Sequence, residues 1–261
     1  MYETVKTETR GKTGWITINR EERRNSLNPM AVRELTEALK TMDHDQDIIS
    51  LVLTGAGEKA FCAGMDLGGG EALQLSFLDR HELQRQFLEL LKSIKALHKP
   101  LIARVQGMAL GGGFGLMSAC DLVVASDDVQ CGTPEINLGL FPYMITAVLL
   151  RATANPKALL EMMLTGERIS AERAAQLGFI NYLVKREDLD ARVEKIAGVL
   201  NTKSSAVLRL GRRAFYTARD MPYEQALEYL SGMLALNMQA EDMMEGIMAF
   251  MEKREPTWQG K

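Results

Sequence analysis

Three consecutive glycines, Gly111 to Gly113, stand between a buried-looking strand and an apolar segment in "MALGGGFGLMSACDLVVA" (108–125). A second small-residue turn, "KAFCAGMDL" (59–67), follows another such strand. Each turn lets the backbone approach something closely. Strand, glycine turn and helix start together point backbone N–H groups outward, with the helix dipole adding favourable polarity for a negative ligand atom. Two such turns that converge would form an oxyanion hole. Phosphate loops fit worse. No Lys-Ser or Lys-Thr follows the glycines, so a Walker loop is absent. Gly111-x-Gly113 begins a dinucleotide fingerprint, but Leu116 stands where its third glycine belongs.

The surrounding pattern is α/β. "GWITINR" (14–20), "IISLVLTGAG" (48–57), "PLIARVQG" (100–107), "DLVVAS" (121–126) and "FINYLV" (179–184) read as strands. Asn28-Pro29 predicts a capped helix start, with Ala31, Leu35, Ala38 and Met42 on its apolar face. An amphipathic helix is predicted over 81–100, with Lys95, His98 and Lys99 in its last turn and Pro100 as its stop. Ser170 predicts a short helix ending at Gly178, and only helices are expected beyond about residue 187. We expect a core over 1–200 and a helical region over 201–261. The methionines of 222–253 are read as filling core or subunit contacts.

Composition narrows the function. With 261 residues, 46% hydrophobic and 25% charged, the chain has ample length to bury a core. A net charge of −3 gives no electrostatic case for nucleic acid. Cys62, Cys120 and Cys131 form no CxxC pair, and their apolar settings suggest reduced thiols in a cytoplasmic setting. His44, His81 and His98 lack metal-site spacing, so no metal is expected. The polar N-terminus shows no signal peptide. The uncharged run 105–120 is too short to span a membrane, and is read as core.

"FCAGMDL" and "VQGMALGGGFGLMSACDLVVAS", in this order, resemble the crotonase, or enoyl-CoA hydratase/isomerase, superfamily. So do "HKPLIARVQG", "GTPEINLGLFP" and "AFMEKREPTWQGK", and also "INREERRNSLN", although Glu21 stands where proline is usual. The resemblance covers nearly the whole chain. It implies a crotonase-like spiral of ββα units with a C-terminal helical region, assembled as a homotrimer or homohexamer. It implies an acyl-CoA substrate, whose CoA moiety makes a separate cofactor unnecessary. The thioester oxygen would sit between the Met65 and Gly112 N–H groups. Arg24, Ser26, Leu27, Ala63 and Asp66 would contact CoA, and Lys253 would reach its phosphates.

The resemblance also implies catalytic carboxylates. One lies three residues beyond the oxyanion glycine, and here that position is Gly115. The other maps to Glu135, whose bland alternative is a solvated surface carboxylate. Hydration wants a positioned water, more easily held by two acid/base groups; one carboxylate suffices to move a proton through an enolate. Isomerisation of an enoyl-CoA is therefore favoured, with hydration as the alternative and a non-catalytic acyl-CoA-binding subunit as a third reading. Phe114, Gly115 and Tyr143 are assigned to the pocket. Tyr143 is read as a wall or a hydroxyl donor, Asp66 as the cap of a following helix, and Asp121 as the holder of a turn.

Overall fold

The computed structural model describes residues 2–66 and 76–261, with ten strands and ten α-helices among them. The chain repeats one unit. Strands β3 (Ser50–Gly55) and β4 (Ala60–Cys62) lead to α2 (Phe77–Ala96). Strands β5 (Leu101–Val105) and β6 (Met108–Leu110) lead to α3 (Gly112–Ala119). Strands β7 (Leu122–Ser126) and β8 (Gln130–Gly132) lead through a 3-10 turn (Pro134–Leu138) to α4 (Tyr143–Ala152). Each unit stacks in parallel on the one before: β3 on β5 on β7, and β4 on β6 on β8. The result is a spiral of ββα units with two sheets. Strands β1 (Val5–Arg10), β2 (Thr13–Ile18) and β10 (Tyr182–Val184) complete the six-stranded sheet, and β9 (Arg168–Ser170) the four-stranded one.

Parallel strands covered on both faces are largely apolar, which is why β3 carries Leu51, Val52 and Leu53 in succession and β5 opens on Leu101, Ile102 and Ala103. Trp15, Val52 and Ile102 align across three strands under α7 (Leu189–Asn201), packing with Leu189 and Val193. Ile16, Leu51, Leu53 and Ala103 are buried in the main core with Leu35 of α1 (Pro29–His44) and Leu90 of α2.

The expected caps are present. Asn28 Oδ1 accepts from Ala31 N at 2.8 Å, and Ser170 Oγ from Arg173 N at 3.3 Å at the start of α6 (Ala171–Gln176); such caps contribute about 1 kcal/mol each. Helix α2 differs from the predicted 81–100. It starts one turn earlier, where Ser76 Oγ accepts from Asp79 N at 3.1 Å. It ends earlier too, because Asp43 Oδ1 draws His98 N and Lys99 N out of the helix, at 2.9 and 3.0 Å. Strand β1 escapes the apolar pattern because VKTETR is exposed beyond Val5.

Helix α5 (Pro156–Thr165) precedes β9; helices α8 (Ser205–Ala218), α9 (Tyr223–Asn237) and α10 (Glu241–Glu252) close the chain. Within this chain the late methionines do not fill a core: Met238, Met244, Met248 and Met251 are exposed. No helix among the described residues is long and apolar enough to cross a membrane.

Candidate active site

Strands β4 and β6 are parallel neighbours, pairing Ala60 with Met108 and Cys62 with Ala109. The chain therefore leaves both at the same end of the small sheet. Gly111, at φ 54° and ψ −124°, makes the turn into α3 and donates its N–H to Gly132 O at 2.8 Å. A Cβ on Gly113 would stand 2.1 Å from Cys62 O, so only glycine lets α3 abut β4. A Cβ on Gly112 would lie 3.7 Å from Met65 N, so the two turns meet.

Both backbone amides face the junction for identifiable reasons. Gly112 opens α3, and its N–H has no acceptor inside the helix. Met65 is bridged in parallel to Leu27: Leu27 N donates to Gly64 O at 2.8 Å and Leu27 O accepts from Asp66 N at 2.9 Å. That pattern turns the Met65 N–H away from Leu27.

Strand β8 pairs with β6, placing Gly132 beside Leu110, and the following 3-10 turn carries Glu135 over Gly111. A Cβ on Gly111 would lie 2.8 Å from Glu135 Oε1. Glu135 Oε2 is buried and has no hydrogen-bond partner among the described residues. Burial pushes the Glu135 pKa above the ordinary carboxylate value, against a smaller opposing effect of its own backbone N–H. A solvated surface carboxylate would show neither feature.

The space beside Gly115 is filled. A Cβ there would stand 2.1 Å from Ile145 Cγ2 and 2.6 Å from Ile145 Cβ. The expected bulk in this segment was Tyr143 and Met144. Tyr143 is 78% exposed, its ring tilted against Phe141. Two residues on, α4 turns Ile145 inward. Phe114, the other large residue assigned to the pocket, is fully buried in the core, edge-on to Phe179. No sequence signal marks Ile145, because only the packing of α4 on α3 brings it to Gly115.

The segment 24–27 is joined to the first turn. Arg24 O accepts from Ala63 N at 3.1 Å, and the Leu27 bridge follows. Leu27 is a scaffold residue, with its side chain in the core and both its backbone polar groups engaged. Ser26 is buried, and its carbonyl accepts from Arg20. Arg20 also donates to Asp66 Oδ2 at 2.8 Å, so it clamps 26 to 66 across the turn. Asn25 is fully buried in the left-handed region (φ 56°), donating to Ala56 O and Ala60 O. Arg20 and Asn25 were missed by sequence reasoning, which had singled out only the stretch containing them. Arg24 lines a groove of about 520 Å³ with Lys59 and Arg186. Lys253 lies apart, exposed at the end of α10 with φ 55°.

The expected cap role of Asp66 falls on residues 67–75, outside the described residues. Asp121, expected to hold a turn, ties distant elements together. It accepts from Leu101 N at 2.7 Å, Arg212 Nε at 2.8 Å and the Tyr216 hydroxyl at 2.6 Å. The three cysteines are buried and free, and burial pushes Cys62 and Cys131 up to about 12.

The family model described as Enoyl-CoA hydratase/isomerase matches residues 8–261. The "Probable enoyl-CoA hydratase, mitochondrial" of Dictyostelium discoideum is 33% identical over 259 residues, covering 99% of this chain and 91% of its own. The "Crotonyl-CoA hydratase" of Syntrophomonas wolfei is 30% identical over 260 residues, covering 100% and 99%. The crystal structure of an enoyl-CoA hydratase from Mycobacterium smegmatis superposes with a TM-score of 0.93 at 33% identity, covering 98% of this chain and 99% of that one.

Proposed function

This chain belongs to the enoyl-CoA hydratase/isomerase family, and on that premise we propose that it moves a proton along an acyl-CoA thioester, converting a 3-enoyl-CoA to a 2-enoyl-CoA. The observation that carries this reading is Glu135: a buried carboxylate oxygen without a partner, set against the turn where the Met65 and Gly112 amides meet. Curated relatives bear enzyme names, and a mere binder has no use for such a group; the chain is an enzyme.

In this reading the thioester oxygen accepts from Met65 N–H and Gly112 N–H. Glu135 takes a proton from C2, the electron pair passes into a dienolate, and the negative charge settles on the held oxygen. Glu135 then returns the proton at C4, and the double bond shifts from C3–C4 to C2–C3. Losing one such amide donor would cost roughly 3–4 kcal/mol. A raised Glu135 pKa suits the task, since the acid form survives long enough to give the proton back. No second carboxylate is required, which matches Gly115. In the groove that Arg24 and Lys59 line with Glu58, Asp128 and Arg186, Arg186 is paired with Asp128, and Arg24 and Lys59 are the cations offered to the CoA phosphates; CoA arrives as part of the substrate.

A second reading is hydration of a 2-enoyl-CoA, favoured by the names of the relatives. It needs Glu135 alone to hold and activate water. Product identification on 3-enoyl-CoA and 2-enoyl-CoA substrates separates the two. Bond migration lost in Glu135→Gln, with CoA binding retained, is expected; robust hydration without migration would reject the isomerase reading.

The same proposal includes assembly as a homotrimer or homohexamer. Exposed Leu227, Leu234, Met244, Ile247 and Phe250 on α9 and α10 support it. Sedimentation as a monomer at micromolar concentration would reject it. The buried free thiols support a reducing, cytoplasmic setting.

A further inference from the structure

We propose that Ile145 sets the choice of reaction at Glu135, by filling with a branched apolar side chain the volume that a second acid/base group or a reacting water would need. This rests on the reading of Glu135 as the proton carrier. Three observations on α3 carry it. At its start, a Cβ on Gly111 would stand 2.8 Å from Glu135 Oε1. One helical turn later, a Cβ on Gly115, whose N–H donates to Gly111 O at 3.0 Å, would stand 2.1 Å from Ile145 Cγ2. Ser118 and Ala119, a further turn on, line a cavity of about 650 Å³ with Met144 and Val148, whose lining also carries Lys92, Arg151 and Asp220. Residues at these intervals share a helix face. Ile145 therefore stands between the carboxylate and the cavity along the seam of α3 and α4.

The fit is tight enough to make the side chain a determinant rather than a bystander. A Cβ at 115 would meet not the flexible end of a long side chain but Cγ2 and Cβ of a β-branched residue, whose χ1 is stiff. Gly115 and Ile145 are thus one unit: the absence of a side chain at 115 is what admits the isoleucine. Replacing Ile145 by alanine frees more than the roughly 30 Å³ that one water takes. Glu135 Oε2, buried without a partner, is an open acceptor for a water that reaches it from there. Adding a carboxylate at 115 supplies the second group.

The test uses the full-length enzyme and four variants: Gly115→Ala, Gly115→Ala/Ile145→Ala, Gly115→Glu and Gly115→Glu/Ile145→Ala. Thermal unfolding comes first. Gly115→Ala is expected to be destabilised, and the added Ile145→Ala to recover the loss. Hydration of a 2-enoyl-CoA and migration in a 3-enoyl-CoA are then measured on folded protein. The Gly115→Glu/Ile145→Ala enzyme is expected to raise the hydration-to-migration ratio about tenfold or more over the wild type, and Gly115→Glu alone to fall short of it or fail to fold. The proposal is overturned if Gly115→Ala is as stable as the wild type, if the glutamate double variant keeps the wild-type ratio, or if Gly115→Glu alone equals it. A wild type that migrates the bond while these outcomes fail removes the role of Ile145 and leaves that of Glu135 standing. A wild type that turns over neither substrate removes both; one that only hydrates removes the role of Ile145 and the isomerase reading, and leaves Glu135 to the second reading.

Discussion

Helix α3 has a carboxylate near each end, and the two are opposites. Glu135 lies against its first turn with one buried oxygen unpartnered. Asp121 lies just past its last turn and takes three donors: a backbone amide, a guanidinium and a phenol. The second arrangement builds structure. Arg212, besides pairing with Asp121, donates to Ile94 O at 2.8 Å, Lys95 O at 3.1 Å and Leu97 O, so it caps α2 and ties α8 to the sheet. The first arrangement costs stability, because an ionised oxygen has lost water without gaining a donor. A fold retains such a group where the lone pair is needed for something else. Burial alone therefore does not mark a functional carboxylate; burial without partners does.

The contrast is broken most directly by substituting both residues. Glu135→Gln should lower kcat by about 10²–10⁴-fold, the usual worth of a positioned acid/base, with a melting temperature at neutral pH no lower than that of the wild type. Asp121→Ala should do the reverse. Leaving Arg212 buried without its partner should cost about 3–5 kcal/mol in urea unfolding, while the folded fraction keeps its turnover. Arg20 sharpens the comparison, since it lies next to the site but is engaged as Asp121 is. Arg20→Met should lose about 1.5–3 kcal/mol, the worth of hydrogen bonds to a charged group, and raise KM more than it lowers kcat. If Arg20→Met lowered kcat alone, the 26-to-66 clamp would belong with the chemistry and not with the scaffold.

Much of this difference was legible in the chain. Asn28-Pro29 and Ser170 announce their helices through local chemistry, and the apolar runs of β3, β5 and β7 announce covered parallel strands. The glycine turns were visible because Gly111 and Gly113 are demanded by backbone geometry within a few residues. Strands β4, β6 and β8 were not, because three residues carry no periodicity. Asp121 was read as holding its turn, but its partners Arg212 and Tyr216 lie about 90 residues away and left no local trace. Ile145 was hidden for the same reason. Its meaning comes from Gly115, thirty positions earlier, and appears only when α4 packs on α3. Tyr143 drew attention by size, but position on the helix decides which residue faces inward.

The smallest expected effect tests the energetic side of the comparison. Burial raises the Glu135 pKa in the folded protein, so the folded state holds that proton more tightly than the unfolded chain does. Well below the ordinary glutamate value both states are protonated, and Glu135 costs nothing. As pH rises from that value through the folded pKa, the unfolded chain ionises first and unfolding becomes easier. Above the folded pKa the cost is complete. Glu135→Gln removes the ionisation, so its melting temperature relative to the wild type should be flat in acid and climb toward neutral pH. The corresponding rate should show the wild-type activity falling as pH drops through the same raised pKa, since the base is then protonated. A stability difference that shrinks with rising pH would mean that Glu135 finds a donor when ionised, and the two carboxylates of α3 would no longer be opposites.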